Sequence, residues 1–353
     1  MHQFSLDVQR QLPKGMALTV AYIASRSNHL LPGATNEGPI NINQLPPDKL
    51  SLGSALLDPV PNPFFGKGGT GVIGSATVAR NQLLRPFPQF RDVIEYQSDF
   101  NHARYDSVVF KAEKRFAAGL TFLTSYTFSR NMDATFGEVN FYANTRLSLA
   151  QLTPQNPNDL EAEYGLSIND APHRFILTSS YELPFGRGKP YLNSNRLVDL
   201  AVGGWQFNVL GIIQSGFPSQ ILQNQNLNTF IGAGIQRPNR TGTSPATSGE
   251  LESRIDGYYN PAAFSTAPQF TYGNLPRTID YRGPGQANWD ISGFKTFTIA
   301  ERFKAQFRAE ALNAFNTPAF EAPNALFGNP NFGKITRQAN FPRFVQLGLR
   351  FIW

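Results

Sequence analysis

The segment FKAQFRAEAL, residues 303–312, alternates apolar and polar side chains at nearly every position. A period of two is typical of a β-strand, because successive side chains point to opposite faces. The apolar side holds Phe303, Ala305, Phe307 and Ala309, and the polar side holds Lys304, Gln306, Arg308 and Glu310. The segment therefore predicts a strand with one apolar face and one face rich in charge.

The same alternation recurs along the whole chain and predicts nine strands of about ten residues. The other eight begin near Phe4, Met16, Val108, Leu120, Phe175, Trp205, Trp289 and Val345. Alternation blurs at Gly293-Phe294-Lys295, where we predict a β-bulge. Aromatic residues recur at the predicted strand ends, as in the interfacial girdles of membrane barrels: Tyr22, Phe116, Phe128, Trp205, Trp289 and Trp353.

The connections between these strands alternate between short and long. Short turns are predicted at 13–15, 117–119, 184–188 and 300–302, and long connections at 27–103, 131–172, 217–287 and 314–342. The long connections are rich in Asn, Pro, Gly and Ser and are predicted to lack regular structure. Long loops on one side only are expected of an outer-membrane barrel, with short periplasmic turns and long extracellular loops.

The composition narrows the protein class. The 353 residues contain 30 Phe, 12 Tyr, 30 Gly and 26 Pro, and only 16% are charged, against about 25% in soluble domains. No run approaches the roughly 18 apolar residues of a membrane-spanning helix. The lack of cysteine excludes a disulfide scaffold and a thiolate metal site. The net charge of +6 is spread without a basic cluster, so we expect no nucleic-acid partner.

The free-energy cost of placing a charged side chain in lipid indicates which strand face contacts lipid and which lines a lumen. A charged side chain at the middle of the lipid face costs about 2–4 kcal/mol, so the charged faces are predicted to line a lumen. The predicted lumen-facing residues are Thr178, Gln206, Arg308 and Glu310. The predicted lipid-facing residues are Phe122, Leu177, Phe207, Phe307 and Leu349. The fold class is therefore all-β, an antiparallel transmembrane β-barrel segment.

Several ordered strings resemble a known family. They are GLTFLTSYTFSR (119–130), DAPHRF (170–175), YELPFGRG (181–188), WDIS (289–292) and FRAEALNAFN (307–316). Together with the C-terminal strand they resemble the barrel of TonB-dependent outer-membrane receptors, and most of all the Oar-like group, whose members carry a carboxypeptidase-regulatory-like domain. The resemblance covers nearly all the strands and is weak in the long loops.

The resemblance implies a 22-strand barrel of which residues 1–353 are about nine strands, the last nine. It also implies an upstream plug domain and a TonB box, neither of which we recognise in this chain, nor a signal peptide. An odd strand number predicts an open sheet, because single-chain bacterial barrels have even counts. The implied role is import of a scarce large solute through the bacterial cell outer membrane with energy from the TonB complex, or a role at the cell surface. The residue types of the long loops suit a sugar, peptide or metal chelate as that solute.

The C-terminal strand resembles the signal that delivers outer-membrane barrels to their assembly machinery. Its residues are Val345, Leu347, Leu349, Phe351 and Trp353. Ligand recognition is predicted mainly in loops 27–103 and 217–287, whose Asn, Gln, Tyr and Phe suit hydrogen bonding and stacking.

No motif in the sequence meets the requirements of a catalytic or cofactor-binding site. Gly66–Gly71 matches G-x-G-x-x-G, but three prolines precede it and no helical period follows it, and the four histidines are isolated. We therefore expect no enzyme activity, no cofactor and no metal. Three alternatives stay open: a passive pore or adhesin on the same wall, an enzyme with a site at the barrel rim, and a secreted carbohydrate-binding β-sandwich.

Overall fold

In the described part of the chain, nine long strands form the main sheet together with the short strand Gly165–Leu166, which pairs with the end of the fourth long strand. The computed structural model describes residues 1–31, 40–67, 74–96, 99–135, 154–193, 196–232, 234–300 and 303–353. We number the nine strands in chain order as β1 (His2–Leu12), β2 (Met16–Leu30), β3 (Asn101–Ala117), β4 (Leu120–Asp133), β5 (His173–Glu182), β6 (Trp205–Gln214), β7 (Gln286–Ala300), β8 (Phe303–Leu312) and β9 (Phe344–Ile352).

The connections carry shorter elements. Their strands are Ile40–Asn41, Pro59–Pro61, Thr77–Ala79, Ile94–Glu95, Gly165–Leu166, Pro218–Ser219, Leu222–Gln223, Asn239–Arg240, Phe264–Ser265, Ile279–Arg282 and Leu326–Phe327. Their helices are the α-helices Arg80–Leu83 and Arg196–Val202 and the 3₁₀ segments Pro13–Gly15, Pro47–Leu57, Glu161–Glu163, Thr229–Ile231, Leu251–Arg254 and Pro261–Ala263. No helix in the described part of the chain is long and apolar enough to cross a membrane.

Each long strand pairs antiparallel with its neighbours in the chain, so the sheet order runs from β1 to β9 without a crossover. The predicted antiparallel all-β architecture is confirmed. The predicted length of ten residues is too short for β2, β3, β4 and β7, which run for 14 to 17 residues. They are longer because pairing continues beyond the apolar band toward the loops. Tyr22 consequently lies in the middle of β2, opposite Val108, and the prediction that it ends a strand is wrong.

The predicted bulge at Gly293-Phe294-Lys295 is also wrong. Gly293 pairs in regular register with Phe207 on one side and Ala309 on the other, and the ladder becomes irregular only between Thr298 and Ala300. The blurred alternation has another cause. The ring of Phe207 lies over Gly293, where a β-carbon would be 3.3 Å from the nearest ring atom, so the glycine leaves room for its neighbour.

The backbone φ angles of the turn residues explain the short turn between β3 and β4. Ala118 and Gly119 join β3 to β4 with φ angles of 54° and 80°, the pair of left-handed residues that a tight type I′ hairpin requires. The turn between β5 and β6 is longer and contains the unpredicted helix Arg196–Val202. Of the turn predicted at 300–302, residues 301 and 302 lie outside the described residues.

The register sorts the side chains of the sheet into two faces, because directly opposed residues share a face. One face carries a row such as Val20, Phe110 and Tyr126, and we call it the outer face. The other, which we call the concave face, surrounds a hollow of about 690 Å³. Its lining comes from seven strands, β3 to β9, and includes Glu113, Thr178, Asn208, Ser292, Glu310 and Gln346.

The sheet is open. Among the described residues β1 pairs only with β2, and β9 pairs only with β8. This agrees with the predicted open sheet, since the described residues form no ladder between β1 and β9.

The hydrophobic core lies in the long loops and hardly at all in the sheet. Among the described residues, the largest fully buried aliphatic side chains are Ile40, Leu45, Leu56, Ile221 and Ile231, and all of them lie in the long connections. One cluster joins loop residues 45–56 to Ile231, and another joins residues 221–279 to Ile335. The prediction of loops without regular structure is wrong, because residues distant in sequence supply one another with an apolar partner. We call this packed assembly of loops the cap.

Candidate functional site: the mouth of the barrel wall

A large hollow opens where the concave face meets the cap. Its volume is about 1100 Å³, and we call it the mouth hollow. The loop-side ends of β3 to β7 form its floor, with the side chains of Tyr105, Thr127, Arg174, Gln214 and Asn288. Loop residues close it, among them Asn169, Phe217, Asn340, Phe341 and Arg343. A cavity of this size and lining is suited to a polar solute larger than a few atoms.

Amide side chains are the most frequent polar groups in the lining of the mouth hollow. Gln214 and Gln286 are paired across β6 and β7, with their side chains on the concave face. In the described structure neither amide group is engaged in a side-chain hydrogen bond, so both can donate and accept toward a solute. Asn288 is different, because its Nδ2 donates to Oδ1 of Asp290 at 3.0 Å.

The charged groups of the mouth hollow are two arginines and one aspartate. Asp290 is occupied, because its Oδ1 also accepts from the backbone N–H of Asn313 at 2.9 Å. Arg174 is exposed at the start of β5 and faces the hollow. A guanidinium binds carboxylate or phosphate through two parallel hydrogen bonds. The hollow therefore suits a ligand with hydroxyl or amide groups and one anionic group.

An exposed aromatic ring stands at the rim of the mouth hollow. Phe341 is 88% exposed. Its loop is held from inside by Asn313, whose Nδ2 donates to the carbonyl oxygens of Thr317 and Phe341, at 3.1 Å each. A solvated ring on a backbone held in this way offers a flat surface on which a sugar ring or an aromatic group can stack.

A buried carboxylate positions the strand that carries Arg174. The side chain of Asp170 is 1% exposed and accepts from the backbone N–H of Asn131 at 2.5 Å and from Nη2 of Arg282 at 2.6 Å. Arg282 also donates to the carbonyl oxygen of Asp170 at 2.7 Å. The entrance to β5 is thereby fixed to both β4 and the third long loop.

Two further buried arginines fasten the cap. Arg237 pairs with Glu163, and both side chains are less than 4% exposed. Arg277 pairs with Asp133 at the end of β4 and donates to the carbonyl oxygen of Glu163 at 2.7 Å. Burial lowers the pKa of Arg277, and the nearby carboxylates of Asp133 and Glu163 act in the opposite direction. These contacts couple residues of the third long loop to the second.

An aromatic cluster completes the cap above the hollow. The rings of Tyr258, Tyr259 and Tyr281 pack against one another with centroids 5.4 to 5.9 Å apart, and Tyr259 meets each of the other two edge to face. Tyr259 donates its hydroxyl to Oγ of Ser219 at 2.8 Å, which satisfies the only polar group of a buried ring. Burial raises the pKa of Tyr258 to about 12, so this phenol is uncharged at neutral pH.

The residues predicted to face lipid or lumen fall into two sets. The register places Phe122, Leu177, Phe207, Phe307 and Leu349 on the outer face, and it places Thr178, Gln206, Arg308 and Glu310 on the concave face. Thr178 and Glu310 line the 690 Å³ hollow. Their contact with lipid or lumen stays a prediction.

The C-terminal residues follow the same division. Val345, Leu347, Leu349 and Phe351 share the outer face, opposite Ala311, Ala309, Phe307 and Ala305 of β8. Trp353 follows the last strand residue and is 89% exposed. The other edge of β9 is unpaired in the described structure, as strand addition by a partner requires.

The residues of the mouth hollow were missed from sequence. Arg174, Gln214, Gln286 and Arg343 stand at strand ends or in loops, where alternation gives no sign of convergence. The available signal was weak: polar residues facing inward at the loop-side ends of β5, β6 and β7. Of the two loops predicted to dominate recognition, 217–287 contributes Phe217 and Gln286, and no described residue of 27–103 lines this hollow.

Among the described residues, no group of three His, Asp or Glu side chains could hold a metal ion.

Comparison with known proteins supports the fold. Residues 1–346 match the family described as "Outer membrane beta barrel domain". No curated protein matches the chain. The outer membrane transporter YddB from Escherichia coli is a similar solved structure, with a TM-score of 0.41 and 10% sequence identity over 99% of this chain and 32% of that one. The chain thus spans about a third of the length of that transporter.

Proposed function

Because the chain belongs to the outer membrane β-barrel domain family and lies in the bacterial outer membrane, we propose that it forms part of the wall and the ligand-capture cap of a TonB-dependent receptor. The outer face contacts lipid, and the concave face lines a lumen. The short turns lie in the periplasm and the long loops outside the cell. An upstream plug domain, engaged by the TonB complex, gates the lumen.

The observation that carries this proposal is the mouth hollow. A passive wall needs neither a packed cap nor a chamber of about 1100 Å³ at its loop end with amide and charged side chains in its lining. Here buried ion pairs hold the cap in one arrangement, and the chamber presents amides, two guanidinium groups and the exposed ring of Phe341. A preorganised chamber binds a scarce solute more tightly, because less conformational freedom is lost on binding.

The wall itself requires additional strands. The unpaired edges of β1 and β9 would expose backbone N–H and C=O groups to hydrocarbon, which lipid does not tolerate. In the proposed receptor the remaining strands of a larger barrel pair with both edges. The barrel-assembly machinery closes this wall, guided by the C-terminal strand.

The mouth hollow is tested by binding to the complete receptor on intact cells. The probes are an array of neutral and carboxylate-bearing oligosaccharides and peptides. We expect cells with the unaltered receptor to retain at least one probe class. The double substitution Arg174→Gln and Gln286→Ala should lower that retention by about tenfold, as expected for loss of a charge-assisted contact.

The matched control is Arg308→Gln, which removes an arginine from the concave face below the mouth hollow. It should leave probe retention unchanged. Equal loss in both variants, or retention unaffected by the double substitution, would contradict the capture site.

Energy dependence is tested separately. In cells without TonB, the receptor should retain the probe at the surface but not import it. If import continues without TonB, the protein is a passive pore and not a TonB-dependent receptor.

A further inference from the structure

The outer face carries an arginine cluster where an apolar band is expected to meet lipid headgroups. The cluster consists of Arg26 on β2, Arg104 on β3 and Arg130 on β4, together with Asp106 and Tyr22. The register places all five on the same face as Val20, Val108 and Phe110. The concave face at the same level carries the uncharged Ser25, Tyr105 and Asn131. The charges therefore point away from the lumen.

Asp106 organises the cluster. Its Oδ1 accepts from Nη2 of Arg26 and from the hydroxyl of Tyr22, at 2.7 Å each, and its Oδ2 accepts from Nε of Arg104 at 2.7 Å. Arg26 is further fixed because its Nη1 donates to the carbonyl oxygens of Ser25 and Tyr105. Two guanidinium groups are thereby held in fixed positions beside one carboxylate.

Positive charge exceeds negative charge in the cluster. Arg130 lies directly opposite Asp106 in the ladder, is exposed, and makes no ion pair in the described structure. Asp106 is the only carboxylate among the described residues in ion-pair contact with any of the three arginines. With three arginines and one aspartate, the cluster itself carries a net charge of +2. A hollow of about 460 Å³ opens between Tyr22, Arg104, Asp106, Arg130 and Met132.

The height of the cluster fits a membrane interface. Lys114 stands on the same strand and the same face as Asp106, with Ala112, Phe110 and Val108 between them. At about 3.4 Å per residue and a tilt of about 40°, the two charges lie about 21 Å apart along the membrane normal, near the roughly 25 Å of an apolar band. The apolar rows of Val20, Val108, Phe110, Tyr126 and Phe128 run directly below the cluster.

We propose that this cluster binds the phosphate group of a lipid in the outer leaflet, with the acyl chains lying along the apolar rows below. A phosphate offers three acceptor oxygens to guanidinium groups, and basic pockets at membrane surfaces recognise such headgroups. A free phosphate ion would share the charge contact but could not use the apolar rows. The inference rests on the proposed orientation, in which the long-loop ends of the strands lie outside the cell.

The test uses the full receptor, purified from outer membranes and placed in nanodiscs that contain either diphosphoryl lipid A or its dephosphorylated form. Lipid retained after transfer to detergent is measured by mass spectrometry. We expect retention of the phosphorylated form to exceed that of the dephosphorylated form by about tenfold. The triple substitution of Arg26, Arg104 and Arg130 by Gln should abolish this difference.

Two variants separate lipid binding from folding. Arg130→Gln alone removes a side chain without an ion pair and should lower the retention of the phosphorylated lipid severalfold with the barrel intact. Lys114→Gln, at the other end of the same strand, should change nothing. Equal retention of both lipids, or retention unaffected by Arg130→Gln and the triple variant, would overturn the proposal.

Inorganic phosphate distinguishes the source of the phosphate group. Excess phosphate should not displace the retained lipid, because the apolar rows contribute to binding. Displacement by phosphate alone would overturn the assignment to a lipid. The two proposals can fail separately. If the lipid-binding results contradict the arginine cluster but the receptor still captures its solute at the mouth hollow, the proposed function is unaffected.

Discussion

Arg277 donates from Nη2 to both the carbonyl oxygen and Oδ1 of Asp133, at 2.6 and 2.8 Å, across 144 residues of sequence. Both side chains are less than 10% exposed. Asp133 is the last residue of β4, and Arg277 lies in the third long loop. This pair therefore ties the cap directly to the end of a wall strand.

Replacing Arg277 by Met should loosen the cap. Removal of one partner from a buried ion pair typically costs about 3–5 kcal/mol, because the other charge is left without compensation. We expect faster amide hydrogen exchange across residues 217–287, with exchange in β5 and β6 unchanged. The control is Arg240→Met in the same loop, where the side chain is exposed. Loss of protection in the strands as well would show that cap and wall unfold as one unit.

Replacing Gly273 by Ala should destabilise the cap, because the added methyl group would collide with the backbone of another cap segment. A β-carbon at this position would overlap the carbonyl oxygen of Arg237. Overpacking of this kind costs about 1–3 kcal/mol. Gly257→Ala in the same loop is the matched control, because a β-carbon there meets nothing within 4 Å. Thermal unfolding of the cap should occur at a lower temperature in the first variant alone, and equal stability of the two variants would contradict the packing described.

Arginine at adjacent positions of β5 distinguishes the two faces of the wall. Leu177 lies on the outer face and Thr178 on the concave face. Arginine on the lipid face near the bilayer centre costs about 2–4 kcal/mol, while a lumen position tolerates it. Leu177→Arg should lower the amount of folded receptor in the outer membrane, measured by heat-modifiable migration, and Thr178→Arg should not. The reverse result would invert the register of the whole sheet, because a shift of one residue exchanges the faces.

Deleting Phe351–Trp353 should reduce assembly of the receptor. The apolar side chains of β9 alternate to the end of the strand. One backbone edge of β9 is unpaired in the described structure, as recognition by strand addition requires. We expect a severalfold lower level in the outer membrane, with unchanged probe binding per assembled molecule. Normal membrane levels after the deletion would leave β9 with only a structural role.

The strands of the wall could be predicted from sequence because alternation and short turns are patterns of residues close together in the chain. Alternation in segments such as 303–312 identifies a strand and its two faces at once, and antiparallel pairing of chain neighbours follows from the short turns. The errors at Gly293 and Tyr22 arose from partners on neighbouring strands. Gly293 accommodates the ring of Phe207, and β2 extends past Tyr22 because β3 continues to pair with it.

The cap and the mouth hollow could not be predicted, because their contacts join distant residues. Asp170 belongs to a string that resembles a receptor family, yet its partner Arg282 lies 112 residues away with no pattern that points to it. Amides such as Gln214 and Gln286 are ordinary surface residues in the sequence. Only the pairing of β6 with β7 brings them together over one chamber.

The central claim, a wall with its long loops outside the cell and its short turns in the periplasm, is tested most directly by surface labelling. The chain has no cysteine, so single-cysteine variants give an unambiguous signal. Glu252 in the third long loop and Arg187 in the turn between β5 and β6 are both exposed. On intact cells, a membrane-impermeant maleimide should label Glu252→Cys at once and Arg187→Cys only after the outer membrane is permeabilised. Labelling of Arg187→Cys on intact cells with Glu252→Cys protected would contradict the account.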